Sequence, residues 1–419
     1  MEYVADLHLH SKYAMACSEK LTLEGMDISA KEKGIKIIST GDFTHPKWIA
    51  EMKRKLDDNG GGMFSLKGSS EGSRFILGSE VCTIFEDRMG KTRRIHNCIL
   101  APSIEIAEQI NFHLSKFGDL ASDGRPILNK ISPSQLVEDL FKIDKDIFIF
   151  PAHLWTPWFG ALGAFSGFNS IEDAYQDQAK HIHAYETGLS SDPPMNWRIS
   201  KLDKYTLISG SDAHSLPKIG REAIILDMQE KDMTFEGLIG KIKNKELKLT
   251  VEFYPEEGKY HFDGHRNCSM SLSPEMAKKY GDRCPKCGKR LTIGVLHRID
   301  DLADRDEGYI PSGASPYVHA IPLQEVIASV TKKAQTSVYV KSTYAKLIQK
   351  FGTELNVLIK SDPEQIAEVD KELGKAIALV REDKVNVIPG YDGVFGVIDI
   401  FNEVKARHDQ GMQKRITEF

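Results

Sequence analysis

The chain has 419 residues, a net charge of −5, 41% hydrophobic and 27% charged residues. That is an ordinary globular mix, long enough for two or three domains. It excludes a strongly basic nucleic-acid coat, although not a local basic groove, and no apolar run reaches membrane-spanning length. The N-terminus enters structure at once, without a cleavable signal pattern, so the expected location is the cytoplasm and no membrane partner is expected.

Up to about residue 255, strand-like and helix-like segments alternate. The strand candidates are "YVADLHLH", "IKIISTGDF", "RFILGSEVCTIF", "RRIHNCILA", "DIFIFPAHLW", "HIHAYETG", "YTLISGSDAH" and "REAIILDM". Between them lie "TLEGMDISAKEKG", "PKWIAEMKRKLDD", "SIEIAEQINFHLSKFG" and "SPSQLVEDLFKID". Strand, helix, strand at this spacing predicts βαβ units and a parallel sheet; the number of repeats favours a closed (β/α) barrel over an open sheet.

Almost every strand delivers a metal-binding type of side chain at or near its C-terminal end. These are His8 and His10, then Asp42, Glu80, His96, His153, Glu186, and finally Asp212 with His214. Alternate side chains of a strand share a face, so His8 and His10 point the same way. In a (β/α) barrel such ends converge on one face. A lone histidine of this kind is usually a satisfied core or capping group, but the joint pattern predicts a multi-metal site. Imidazole and carboxylate together suit Zn, Mn or Fe better than Mg or Ca, and Glu80 has two oxygens with which to bridge two cations. Two metals can activate water and neutralise an in-line displacement at phosphorus. There is no G-x-x-x-x-G-K-[ST] loop and no nucleophilic serine or cysteine motif, so hydrolysis of a phosphate ester is the expected reaction.

From about Phe253 the character changes. His265, Cys268, Cys284 and Cys287 form H-x2-C-x15-C-x2-C, the frame of a structural zinc knuckle, with His261 competing for the first position. Cys17, Cys82 and Cys98 lie outside that frame and read as core thiols. After about residue 297, "PLQEVIASVTKK", "STYAKLIQKFG" and "DPEQIAEVDKELGKAIALVREDK" have helical periodicity, and "VNVIPGYDGVFGVIDIF" is turn-like and then extended. Lys332, Lys333, Lys341, Lys346 and Lys350 form a positive stretch, either a solvated face or a phosphate track.

The motifs "DLHLHSK", "STGDF", "GSE", "IHN", "PAH" and "SDAH" resemble those of the PHP (polymerase and histidinol phosphatase) metallohydrolases. The resemblance implies an α/β fold with a distorted seven-stranded (β/α) barrel holding two or three divalent metals: Zn, with Mg or Mn as alternatives. It implies that His8, His10, Glu80 and Asp212 hold one metal and Glu80, His96 and His153 a second. A third would use His214 and ligands from the first two loops. Phe43 stands where many members have histidine, with Asp42 or His45 as substitutes. Of this set, His8, His10, Glu80, His153 and Asp212 are the expected catalytic residues.

Adding the knuckle, "GVLHRIDDLADR", "PLQEVIA" and "PGYDGVFG", the whole chain resembles the endonuclease Q family of DNA-repair enzymes. The implied organisation is a PHP barrel over 1–252, a small zinc-binding domain with one structural Zn over 253–296, and a mainly helical DNA-binding domain over 297–419. The implied activity is a nick 5′ to uracil, hypoxanthine, xanthine or an abasic site, leaving 3′-hydroxyl and 5′-phosphate ends, in an archaeal or bacterial cell. The competing expectations are a small-molecule phosphoesterase of the histidinol-phosphatase kind and a non-catalytic DNA-binding scaffold.

The loop after His153 is long and aromatic, and suits stacking of a base taken out of the duplex. Its candidates for lesion and DNA contact are Trp155, Trp158, Phe168 and Ser170, with Ser191 and Asn196 on the opposite wall; Gly160, Gly163 and Gly167 are read as allowing close approach of a ligand. At the C-terminus, Gln413, Ile416 and Phe419 are spaced as at the start of a sliding-clamp-binding peptide, which would make a clamp a partner.

Overall fold

The computed structural model describes residues 1–69 and 72–401. The clamp-like spacing at Gln413, Ile416 and Phe419 lies outside the described residues.

The helices begin where side-chain chemistry lets them. Thr22, Ser103 and Ser132 each accept a backbone N–H across the first turn of Leu23–Lys33, Ile104–Leu114 and Pro133–Ile143. Pro46 and Pro133 occupy first-turn positions where a missing N–H costs nothing. Gly34 closes the first helix in the left-handed region, at φ 86°.

The strand Glu2–Asp6 is central. It pairs in parallel with Ile37–Ser39, which pairs in parallel with Arg74–Glu86, and antiparallel with Ala223–Asp227 on its other side. Ala184–Glu186 and Thr206–Ile208 pair in parallel, and a bridge between Leu9 and Ala213 ties the end of the first strand to the loop after Thr206–Ile208. The fold is thus the mixed α/β barrel that the strand and helix order implies. Besides the antiparallel pairing of Ala223–Asp227, it departs from a pure βα repeat where the ligand strands meet. Arg74–Glu86 and Thr92–Ala101 form a long antiparallel hairpin, and Phe148–Pro151 runs antiparallel to the second of these strands. The connector after Glu86 is too short for a crossover, which needs about a dozen residues or more. Asp87 instead accepts the N–H groups of Met89 and Lys91 to make a turn.

Inside the barrel, Ala5, Leu7, Ile76, Leu100, Phe148 and Phe150 form an apolar floor, with Leu238 and Ile242 of the helix Phe235–Lys243 packed in the same cluster. On Arg74–Glu86, Ile76 lies in this floor, and Glu80, four residues on along the same face, lies above it. Leu77 and Val81, each one residue further along, face the other way, into a second apolar cluster that extends to the C-terminal helices.

Past the barrel, Leu247–Glu252 continues the sheet and pairs in parallel with Tyr317–His319. The helices Leu323–Thr331, Val338–Phe351, Pro363–Ala367 and Lys371–Arg381 follow, then a hairpin of Asn386–Ile388 and Val397–Asp399. No helix among the described residues is long and apolar enough to cross a membrane.

A charged clasp joins these parts. The His319 ring stacks on Tyr254 at 4.7 Å, with Nδ1 3.0 Å from Asp383 Oδ1 and Nε2 3.3 Å from Asp192 Oδ2. Burial opposes protonation of His319, but the two carboxylates outweigh it and push its pKa up to about 10. A raised folded-state pKa contributes stability that is complete below the ordinary histidine value and is lost as pH rises through the folded value. We expect His319→Ala to lower the stability by about 2 kcal/mol at pH 6. Denaturant titrations should show the gap to the parent chain narrowing between neutral pH and pH ~10.

Candidate metal centre and its cavity

The expected ligands come from separate strand ends and meet at the barrel mouth. The donor atoms of His8, His10, Glu80 and Asp212 all lie within 4.8 Å of one another, as do those of Glu80, His96 and His153. Glu80 belongs to both groups through different oxygens. Its Oε2 is 3.5 Å from His8 Nε2 and 3.2 Å from His10 Nε2; its Oε1 is 2.6 Å from His96 Nδ1 and 2.9 Å from His153 Nε2. Asp212 Oδ1 lies 3.2 Å from His10 Nε2 and 3.8 Å from His8 Nε2.

The chain reaches this geometry with left-handed backbone at three non-glycine residues, Asp42 (φ 49°), His153 (φ 29°) and Asp212 (φ 45°). Each follows a strand, and such strain persists only where the surroundings impose it.

A second layer orients the first. Glu186 lies 2.8 Å from His8 Nδ1 and accepts the His153 backbone N–H at 2.7 Å. Asp42 Oδ1 lies 2.9 Å from His10 Nδ1, and its Oδ2 accepts the Ser11 N–H. The Asp42 carboxylate therefore stands behind His10, outside the two clusters of donors. His214 also stands outside them: its Nδ1 bonds the Asp212 carbonyl at 2.9 Å, and its ring meets that of His10 edge-on at 4.7 Å. The His45 ring stacks on Tyr13. Gly210 permits the Glu186–His8 contact, since a Cβ there would overlap Glu186 Oε1 and come within 2.8 Å of His8 Cβ.

These donors fit divalent metals. His8 Nε2, His10 Nε2 and Asp212 Oδ1 are buried without a hydrogen-bond partner, and all three point to one spot. Buried polar atoms left unpaired are costly, and a cation would satisfy all three at once. The electrostatics agree. Burial opposes ionisation of Glu80, but His96 and Arg125 outweigh it and hold its carboxyl well below the usual range. Burial likewise opposes ionisation of Asp212, where His10 and His8 outweigh it.

Arg125 was not evident from the sequence, because it sits in the irregular stretch "SDGRP" with no motif around it. Its Nη1 lies 3.3 Å from Glu80 Oε2. It lines a cavity of about 470 Å³ over the two clusters, whose rim also carries Lys218, Arg221 and Lys259.

The aromatic loop borders the same cavity through Trp155, Trp158 and Phe159. Trp155 is buried and donates from Nε1 to Asn196 Oδ1 at 2.8 Å. Trp158 is half-exposed and stacks on Phe165 at 4.1 Å. Asn196 and Ser191 are buried and hydrogen-bonded to each other behind Trp155. Phe168 packs on Phe85 with Arg93 over its ring, and Ser170 caps the helix Ile171–Tyr175. Of the expected contact residues, then, Trp155 and Trp158 line the cavity, whereas Phe168, Ser170, Ser191 and Asn196 do not; Phe159 and Ser190, neighbours of these candidates, line it as well. Gly160, Gly163 and Gly167 pack against the loop's own backbone, so their small size serves the loop's tight path.

A third cluster lies in the knuckle. Donor atoms of His265, Cys268, Cys284 and Cys287 fall within 4.8 Å of one another. Gly288, at φ 72°, turns the chain after Cys287, and its N–H bonds the Cys284 carbonyl. The backbone N–H of Lys289 lowers the Cys287 thiol pKa, which favours a ligating thiolate. His261 is elsewhere: its ring faces the Ser190 carbonyl.

Partners of this second-layer kind typically account for a factor of about 10–100 in metal affinity. Glu186→Gln should lower the affinity of the barrel site for Mn²⁺ or Zn²⁺ within that range, read by titration calorimetry, while the circular dichroism spectrum stays unchanged.

Comparison with known proteins places this geometry. A family model described as the MJ0043 C-terminal domain matches residues 322–384. The uncharacterized protein MJ0043 of Methanocaldococcus jannaschii is 32% identical over 249 residues, 58% of this chain, but the match spans only 31% of that protein. The uncharacterized protein YqxK of Bacillus subtilis is 30% identical across 94% of this chain and 98% of its own length. The crystal structure of a lesion-specific endonuclease, PfuEndoQ of Pyrococcus furiosus, is 31% identical, with TM-score 0.83 over 98% of this chain and 99% of that one. An endonuclease Q crystallised with a 27-mer duplex carrying an abasic lesion at its active site gives 31% identity and TM-score 0.85 over 97% and 99%. With identity and fold shared end to end, the chain belongs to the endonuclease Q family.

Proposed function

We propose that this chain is a metal-dependent DNA endonuclease that hydrolyses the phosphodiester 5′ to deaminated bases (uracil, hypoxanthine, xanthine) or abasic sites, leaving 3′-hydroxyl and 5′-phosphate ends. The observation that carries the reading is Glu80, which offers one oxygen to each of two donor clusters on the floor of a basic, aromatic-walled cavity. The full-length likeness to a lesion-specific endonuclease supports the substrate class.

In this reading His8, His10, Glu80 and Asp212 hold one divalent ion, and Glu80, His96 and His153 a second. Bound there, the ions supply an activated water and neutralise charge at phosphorus. The protein's own groups do the remaining work. Glu186 and Asp42 fix the rings of His8 and His10 and hold their proton on Nδ1, leaving Nε2 free to ligate. Arg125 lies against Glu80 and takes the phosphate at the reacting end. Lys218, Arg221 and Lys259 hold the backbone to either side. Trp158 offers a stacking face to an extruded nucleotide, while Trp155 shapes the wall through its bond to Asn196. Water attack breaks the bond to the 3′-oxygen, so the lesion stays on the 5′-phosphate fragment. The His265, Cys268, Cys284 and Cys287 cluster would hold zinc, with a structural role.

The test is a labelled duplex containing one deoxyuridine, deoxyinosine or abasic site, incubated with Mg²⁺ or Mn²⁺. The expected product is a single nick 5′ to the lesion, absent with Glu80→Ala. An intact duplex together with phosphate release from histidinol phosphate would replace this reading with a small-molecule phosphoesterase. Separately, Cys284→Ser should remove one equivalent of zinc by elemental analysis and lower the melting temperature, because ligation supplies local folding energy.

A further inference from the structure

The hairpin Asn386–Ile388/Val397–Asp399 carries a feature that packing does not explain. Phe395, in its connecting loop, is 59% exposed, yet it lines the cavity that also holds Arg125, His153 and Asp212. Val394 beside it is also exposed, at 39%. A large aromatic group held in water at the mouth of a polar site costs hydrophobic free energy that a packed side chain would not.

The backbone beneath Phe395 is held on several sides. Gly390 N–H donates to Glu256 O at 2.7 Å, Gly393 N–H to Lys259 O at 2.8 Å and Gly396 N–H to Glu257 O at 3.0 Å. Side chains at Gly390 or Gly396 would collide with the Gly258 carbonyl or the 256–257 backbone, so the loop lies close against that segment. Asp392 ties the loop to the knuckle: one oxygen accepts from Thr292 Oγ1 at 2.6 Å, the other from the Arg266 N–H at 2.7 Å. An exposed aromatic on a restrained loop is prepared for a partner. Lys259 Nζ, 5.9 Å from the Phe395 ring, gives that partner's side a positive charge.

We infer that Phe395 is a wedge that enters the base stack of duplex DNA and fills the gap left when a nucleotide is drawn toward the metal clusters. The inference rests on the proposed endonuclease reading. An extruded nucleotide leaves its neighbours unstacked, and apolar side chains inserted between base steps offset that cost. Phe395, on the C-terminal hairpin, and Trp158, on the loop after His153, line this cavity from separate elements. Extruded base and wedge therefore need not compete for one surface.

The experiment compares the parent chain, Phe395→Ala and Phe395→Trp on one lesion in three settings: a fully paired duplex, a duplex with unpaired bases flanking the lesion, and a single strand. Phe395→Ala should slow nicking of the paired duplex roughly tenfold to a hundredfold, the range expected for one lost stacking contact. It should cut the other two near the parent rate, since their lesion is already free to leave the stack. Phe395→Trp should retain most of the paired-duplex activity. Equal losses on all three substrates, or no loss on the paired duplex, would overturn the wedge. A second readout does not depend on cleavage. With 2-aminopurine beside the lesion, the Glu80→Gln protein should raise the fluorescence on binding, and the Glu80→Gln/Phe395→Ala protein should raise it less. A parent chain that cuts nothing would defeat the endonuclease reading, whereas equal fluorescence from the two Glu80→Gln proteins would defeat the wedge alone.

Discussion

Glu80 is the constraint on which the rest of this molecule turns. Its carboxylate is buried at the centre of a barrel, and a buried charge survives only where other charges or protons compensate it. His8, His10, His96, His153 and Arg125 are all arranged around its two oxygens. The antiparallel hairpin is what makes the sharing feasible. Its register sets Glu80 opposite Cys98 and Cys82 opposite His96, so Glu80 and His96 are diagonal neighbours on one face. A parallel βα repeat at this point would need a helical crossover between the two strands and would lose the pairing. The break in the barrel's regularity and the sharing of one carboxylate by two clusters are therefore the same structural fact.

Beneath the clusters the barrel holds more carboxylates than an apolar core tolerates without help. Glu186 faces His8, while Glu252 is hydrogen-bonded by Thr187 and Ser209. Burial raises Glu252 to about 7, even against the Ser209 bond. Glu222, also buried, is pushed well above the usual range, first by burial and then by Glu252. Glu222 and Glu252 thus tend toward the neutral form, while Glu80 and Asp212, which face the ligand histidines, are held below the usual carboxylate range. This gradient concentrates negative charge where cations would bind.

Much of this was legible in the sequence, for identifiable reasons. Helix caps are local, so Thr22, Ser103 and Ser132 mark helix starts without tertiary information. The grouping of His8, His10, Glu80, His96, His153 and Asp212 follows from strand ends converging on one face, a property of the fold class. The opposite held for side chains whose direction depends on loop paths. Asp42 and His214 carry the same chemistry as the clustered donors, yet one lies behind His10 and the other turns its Nδ1 to the Asp212 carbonyl beside the cluster. Ser170, Ser191 and Asn196 look like base-reading groups in a string of letters, but capping and mutual hydrogen bonds occupy them. The hairpin at residues 74–101 was recoverable in principle, because its connector is too short for anything else.

The cavity is composite, and that bears on what it accepts. Its lining comes from the barrel, from the loop after His153, and from Lys259, Tyr260, Val295 and Phe395. These parts are held in place by contacts that cross between regions distant in sequence. His319 joins Asp192 to Asp383, Lys218 pairs with Glu325, and Arg298 bonds the Leu162 and Phe168 carbonyls of the aromatic loop. A small phosphate ester would need only the ligand floor and a few donors, all of which the barrel supplies alone. Lining drawn from the segments that flank the knuckle and from a C-terminal hairpin widens the contact surface beyond any single phosphate and adds aromatic groups from separate elements. A polymer with a repeating phosphate backbone and stackable bases uses all of that surface, which is why the C-terminal elements, more than the metal ligands, favour nucleic acid as the substrate.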